Sequence, residues 1–121
     1  MVKTCCLRTH KINFKRDVEI ASINIHNEVS RAINDGYTRF VAGVEGDADM
    51  IFAEAVYDMK STYPEINLEI EIPDPDWLEK IDENLLYQQL FILCDAVSVI
   101  RDKKYNNRQS ESINNVRYID L

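Results

Sequence analysis

The stretch Tyr37-Thr-Arg-Phe-Val-Ala-Gly-Val-Glu-Gly-Asp-Ala-Asp-Met-Ile-Phe-Ala-Glu-Ala-Val-Tyr-Asp-Met59 decides the fold. Its first six residues are rich in aromatic and β-branched side chains, as strands are, and Gly43 to Asp49 then reads as a turn with acidic helix-capping candidates. Beyond it Ala48, Ile51, Phe52, Ala55, Val56, Met59 and Tyr63 recur at i, i+3, i+4, while Asp47, Glu54, Asp58 and Ser61 share the other side. A strand, a glycine turn and an amphipathic helix form one repeat of a β-α unit.

Working outward, the same unit recurs. Val2 to Leu7 is a short apolar run followed by mostly polar residues through Arg16, a strand entering a loop. From Asp17 the residues Val18, Ala21, Ile25, Val29, Ala32 and Ile33 keep helical spacing, and Gly36 supplies the stop. Pro64 ends the second helix. Ile66 to Ile72 alternates at period two, and its Glu69 and Glu71 read as the wet side of an edge strand. Pro73 to Trp77 is a turn into a short acidic helical piece, Glu83 to Cys94 is a third helix, and Ala96 to Ile100 is a fourth strand. Alternating strands and helices predict an α/β fold, a Rossmann-like parallel sheet of about four strands flanked by helices. The polar chain from Arg101 onward is expected to be a mobile C-terminal segment, with Ile113, Val116 and Ile119 giving a last helical turn or two.

The 121 residues, 45% hydrophobic and 29% charged, are enough for one domain and too few for two. The chain has neither an apolar run of membrane-spanning length nor the long hydrophobic core of a secretory signal, so a cytoplasmic location is expected. Cys5, Cys6 and Cys94 cannot all pair, and vicinal strand residues point to opposite faces, so the thiols are expected to be buried and reduced. With two His and no CxxC or HExxH spacing, neither a metal nor another cofactor is expected. No serine has a nucleophile-elbow context, and no catalytic residue is assigned.

The net charge of -7 is unevenly spread. Residues 1 to 16 carry five basic groups and no acid; residues 65 to 83 carry eight acids against Lys80. The acidic total argues against duplex DNA as a partner, yet a local basic loop can hold one small anion. Ligands of parallel sheets bind beyond the carboxyl ends of the strands where strand order reverses. With an order 3-2-1-4, the loops after the first and fourth strands, Arg8-Thr-His-Lys11 and Arg101-Asp-Lys-Lys104, would converge beside the Gly43 to Gly46 turn. Lys11 and Arg101 would then pair with phosphate, His10 would contact it or move a proton, and Gly43 and Gly46 would offer backbone N–H groups. Glu45 and Asp49 would hold ribose hydroxyls, although Asp49 also suits helix capping. In the acidic stretch, Asp74, Asp76, Trp77 and Glu79 form a candidate partner-binding surface for a basic protein, with a core role for Trp77 as the alternative.

The order of these pieces resembles the YpsA-like proteins of the SLOG superfamily. The resemblance rests on Lys3-Thr-Cys-Cys-Leu7 before a His-containing loop, Asp35-Gly-Tyr-Thr-Arg-Phe-Val-Ala-Gly43, Asp49-Met-Ile-Phe-Ala-Glu54, and Tyr63-Pro-Glu-Ile-Asn-Leu68 followed by Ile72-Pro73. It covers nearly the whole chain and implies a Rossmann-like fold with a nucleotide-derived ligand. The family's Thr-Gly-His-Arg-Pro loop is Arg8-Thr-His-Lys-Ile12 here, Asp47 replaces a loop glycine, and a final strand with its Gly-Gly-Thr turn is missing after Asp120. These departures imply a shortened, non-enzymatic relative of the kind a phage or mobile element would encode. The expected function is binding of a nucleotide-derived ligand, in one form as a sponge for an immune signalling nucleotide. The alternatives are an acidic inhibitor of a host defence nucleic-acid complex and a residual nucleotide phosphoribohydrolase, for which the Pro-Gly-Gly-x-Gly-Thr-x-x-Glu motif of that branch is missing. A sheet lacking its usual last strand also predicts a homodimer or other homo-oligomer.

Overall fold

The structure, a computed structural model, describes residues 2–8, 14–44, 46–99 and 116–120. Five parallel strands, β1 (Thr4–Arg8), β2 (Arg39–Ala42), β3 (Asn67–Ile72), β4 (Ala96–Val99) and β5 (Val116–Asp120), form one sheet in the order β4-β3-β2-β1-β5. Helices α1 (Phe14–Asn34), α2 (Asp47–Lys60) and α3 (Leu85–Leu93), with a 3-10 segment at Pro75–Glu83, complete the described elements. The fold is the expected Rossmann-like α/β class.

Local chemistry explains the boundaries. Gly36, at φ 92°, closes α1: its N–H donates to the Ile33 carbonyl, and the Tyr37 N–H reaches back to Ala32. Asn84 caps α3 by accepting from the Leu86 N–H at 2.9 Å and the Tyr87 N–H at 3.3 Å. Asp74 likewise accepts from the Trp77 N–H at 3.1 Å, setting the start of the 3-10 segment.

The three helices share one face of the sheet. Ile25, Val29, Ala32 and Ile33 of α1 and Phe52, Ala55 and Val56 of α2 bury against Cys5, Phe40, Ala42, Leu68, Ile70, Ile72 and Ile119. Alternation sends the neighbours Thr4, Cys6, Arg39, Glu69, Glu71 and Ser98 to the second face, which is polar. There Arg39 donates to Glu69 at 2.5 Å, and the Ser98 hydroxyl donates to the same carboxylate oxygen at 2.9 Å.

Three expectations are corrected here. Val116–Asp120 is not a helical turn but strand β5, paired with β1 along its whole length from Thr4↔Val116 to Arg8↔Asp120. Ile66–Ile72 is not an edge strand, because β3 lies between β2 and β4. The glutamates that suggested an edge face the second side of an internal strand, where Arg39 and Ser98 receive one of them. Finally, Ala96–Val99 is not the neighbour of β1; it forms the far edge, and β5 holds the place expected for it.

Candidate functional site

The chain steps from β1 through β2 and β3 to β4 in one direction, and β5 then lies on the other side of β1. Strand order therefore reverses between β1 and β5, and the crevice beyond their carboxyl ends is where a sheet of this kind takes a ligand. The register ends there at Arg8↔Asp120. Next to it, β2 ends at Ala42 and leads into the Gly43 turn and the N-terminus of α2.

Asp49 organises that turn. It is the third residue of α2 and is 6% exposed, with its carboxylate folded back along the helix end. Oδ1 accepts from the Gly43 N–H at 3.0 Å and Oδ2 from the Gly46 N–H at 3.3 Å. The carboxylate so satisfies donors that the first turn of a helix cannot, and its charge complements the positive helix end. A Cβ on Gly43 would stand 3.4 Å from Asp49 Oδ1, in ordinary van der Waals contact with the carboxylate. Above Gly46 the space is open, with nothing within 4 Å of an added Cβ.

The structure thus brings Gly43, Gly46 and Asp49 together, but the two amides expected to face a phosphate donate to Asp49. Asp49 is a positioning residue of the turn. His10, Lys11, Glu45 and Arg101 lie outside the described residues. Among these, His10 and Lys11 belong to the connection that leaves β1 at the reversal point. Arg101 follows β4, which β3 and β2 separate from β1 by three strand spacings, roughly 14 Å at about 4.8 Å each. The convergence of the two basic loops assumed a β1–β4 adjacency that does not exist.

Glu71 was missed. The pairing Ala42↔Ile70 sets it level with Gly43 on the polar face, one residue below the carboxyl end of β3. Burial first, and then the nearby Glu69, push its carboxyl above the usual range, against an opposing pull from Arg39. A half-buried carboxyl of this kind beside a ligand turn can donate or accept a hydrogen bond to a hydroxyl. The signal in the sequence was the period-two alternation itself, which marks Glu71 as facing away from the core but says nothing of what stands opposite.

The thiols are poor nucleophiles. Burial raises Cys5 to about 12, with Cys6 adding to it, and burial followed by Glu71 raises Cys6 to about 11. Both cysteines are free and point to opposite faces of β1. Among the described residues no cluster of His, Cys, Asp or Glu side chains could hold a metal, and no helix is long and apolar enough to cross a membrane.

In the acidic segment, Asp74, Asp76 and Glu79 are exposed. Trp77 is not: it is buried, with its ring 4.1 Å from that of Tyr87 and stacked at 5.8 Å on Phe91. It anchors the 3-10 segment to α3 and presents little surface to a partner.

The family model described as the YspA SLOG family (YpsA) matches residues 11–116. No curated protein matches the chain.

Proposed function

The chain belongs to the YspA SLOG family, and from that premise we propose that it is a nucleotide-binding Rossmann-like protein whose ligand lies in the crevice at the β1–β5 reversal. The observation that supports this reading is the strand order β4-β3-β2-β1-β5, in which the carboxyl end of β1 lies between that of β5 and that of β2, the strand that leads into the Asp49-braced turn. In this reading Lys11 and His10 take the phosphate, the open space above Gly46 admits the sugar, and Glu71 and Glu45 hold hydroxyl groups. Asp49 keeps the turn in shape. Burial holds Cys5 and Cys6 as neutral thiols, which supports a binding role over thiol chemistry in this reading. Sequestration of a signalling nucleotide is the finer form of this proposal.

Calorimetric titration with a panel of nucleoside mono-, di- and cyclic phosphates tests it. Binding of at least one member, weakened about tenfold or more by Lys11→Ala through loss of a charge-assisted contact, is expected. Binding that survives both Lys11→Ala and Asp49→Ala unchanged would remove the site from the crevice.

A second reading, inhibition of a basic protein partner, draws on the exposed Asp74, Asp76 and Glu79. Asp76 and Glu79 sit on the 3-10 segment that follows β3, and Asp74 caps its start. Triple charge reversal there should abolish partner capture and leave nucleotide titration untouched; the reverse pattern would exclude this second reading.

A further inference from the structure

Helices α2 and α3 lie side by side and leave an open groove of about 310 Å³ between them. Its apolar lining is Met50 and Tyr57 of α2 with Ile92 and Leu93 of α3. Tyr57 is 50% and Ile92 79% exposed, so large apolar side chains stand in water along the groove. Leu85, 69% exposed and seven residues before Ile92, continues the α3 side by about two helical turns.

The same groove carries negative charge. Glu54 and Asp58 of α2 join its lining, opposite Gln89 of α3, and both carboxylates are exposed. Four residues separate them, which is about one helical turn and roughly 6 Å along the axis. Among the described residues no cation pairs with Glu54, and Asp58 has the His26 imidazole at 3.8 Å. The one basic residue of α2, Lys60, is held by Asp95, and α3 carries no charge. Apolar surface and unanswered carboxylates therefore share one groove, which marks it for a partner that is both apolar and basic.

We propose that this groove binds a cationic amphipathic helix of another protein, whose apolar stripe packs against Tyr57, Ile92 and Leu93 while a pair of Lys or Arg side chains one turn apart meets Glu54 and Asp58. Charge complementarity argues for this occupant. A helix laid along the groove presents its i and i+4 side chains on one side, the same spacing as the two carboxylates. Met50 suits such a site, because its unbranched thioether adapts to apolar partners of different shape. A second copy of the chain is a poorer occupant: a two-fold contact through the groove would bring Glu54 and Asp58 towards the same carboxylates of the copy. Nucleic acid or an anionic membrane surface would be repelled by them. None of the residues given to the nucleotide lines the groove, so the proposal stands apart from that reading.

Fluorescence anisotropy of the full chain with a labelled synthetic peptide tests the proposal. The probe is a leucine and lysine peptide of about four helical turns, with leucines at i, i+3, i+4 and i+7 and lysines on the flanks. Its control is a scrambled peptide of the same composition whose leucines form no stripe. The wild type should bind the ordered peptide about tenfold or more tighter than the scrambled one. Glu54→Lys combined with Asp58→Lys should weaken that binding about tenfold or more. Ile92→Gln should weaken it about tenfold through the lost apolar contact. Charge reversal at Asp74, Asp76 and Glu79 changes net charge by more, yet at physiological salt it should alter affinity less than about twofold. Circular dichroism should show every variant folded, because the replaced side chains are exposed. Equal affinity for the two peptides, no binding of the ordered one, or unchanged binding in the folded Glu54→Lys and Asp58→Lys double variant would overturn the proposal. Sedimentation of the wild type at twice 14.1 kDa, abolished by Ile92→Gln, would assign the groove to a second copy and overturn it as well.

Discussion

The two edges of the sheet are built on opposite terms. At the β5 edge Ile119 is 2% exposed, and Arg117 reaches Asp35 at 2.6 Å and Glu28 at 3.9 Å while lying over the Tyr37 ring. Lys3 joins the same cluster by donating to the Asp35 carbonyl at 2.7 Å, with its Nζ 4.6 Å from the centre of the Tyr37 ring. At the β4 edge the polar ties run inward through Ser98 to Glu69 and through the neighbouring Asp95 to Lys60, and Val97 and Val99 stay 41% and 38% exposed. The comparison teaches that β5 is secured within the molecule, so the reversal point beside it can be a defined ligand crevice.

Breaking the buried side should cost far more than breaking the exposed one. Ile119→Ala removes a core side chain at the base of the reversal point and is expected to cost about 2–5 kcal/mol. Val99→Ala at the other edge should cost under about 1 kcal/mol in the monomer. Urea unfolding at a fixed low protein concentration compares them, and equal losses would erase the distinction between the edges.

The next effect in size belongs to the turn. Asp49→Ala leaves two amides of the Gly43–Gly46 turn without their acceptor and should cost about 1–2 kcal/mol by chemical denaturation. Asp49→Asn keeps an oxygen acceptor and should recover part of that loss. If Asp49→Ala were as stable as the wild type, the turn would not depend on the carboxylate.

The smallest effect is in the pH profile. Because the folded carboxyl of Glu71 is raised above its ordinary 4.5, the folded state holds this proton more tightly than the unfolded chain does. Stability from this group therefore falls as pH rises from about 4.5 through the raised value, and its cost is fully present above it. Asp95 has the opposite sign: burial alone would raise it, but the Leu68 N–H and Lys60 outweigh burial and lower it from 3.8. Its contribution is present above that value and is lost as pH falls through the lowered one. Glu71→Gln should raise stability at neutral pH relative to pH 4.5, and Asp95→Asn should lower it at neutral pH with little effect in strong acid. A Glu71→Gln protein with an unchanged pH profile would show that the carboxyl is not strained by its surroundings.

The β-α repeat was legible because the Tyr37–Met59 stretch changes from a β-branched run to helical spacing across a glycine turn, and each half alone points to one element. The helix faces followed from the same spacing, as Ile25, Val29, Phe52 and Val56 in the core confirm. Strand β5 was not legible, since Ile113, Val116 and Ile119 are three apart and a short segment cannot separate helical from strand spacing; pairing with β1 decides it. Nor could the position of β3 be read. A polar side chain on alternate residues reports which face leaves the core, whereas edge or interior depends on a neighbour far along the chain, here Ala96–Val99. Of the candidate site, the turn residues Gly43, Gly46 and Asp49 stood in one local stretch, and the structure brings them together with both amides donating to Asp49. Glu71 entered only through the register of two strands, and the assumed β1–β4 adjacency failed because strand order is set by pairings far apart in the chain.

The most direct test of the crevice is native mass spectrometry of the purified protein, compared under gentle and denaturing conditions and after incubation with the nucleotide panel. The account predicts a phosphorylated adduct on the wild type that is released on denaturation and lost in Asp49→Ala. Wild-type protein that takes up no member of the panel and releases nothing on denaturation would contradict it.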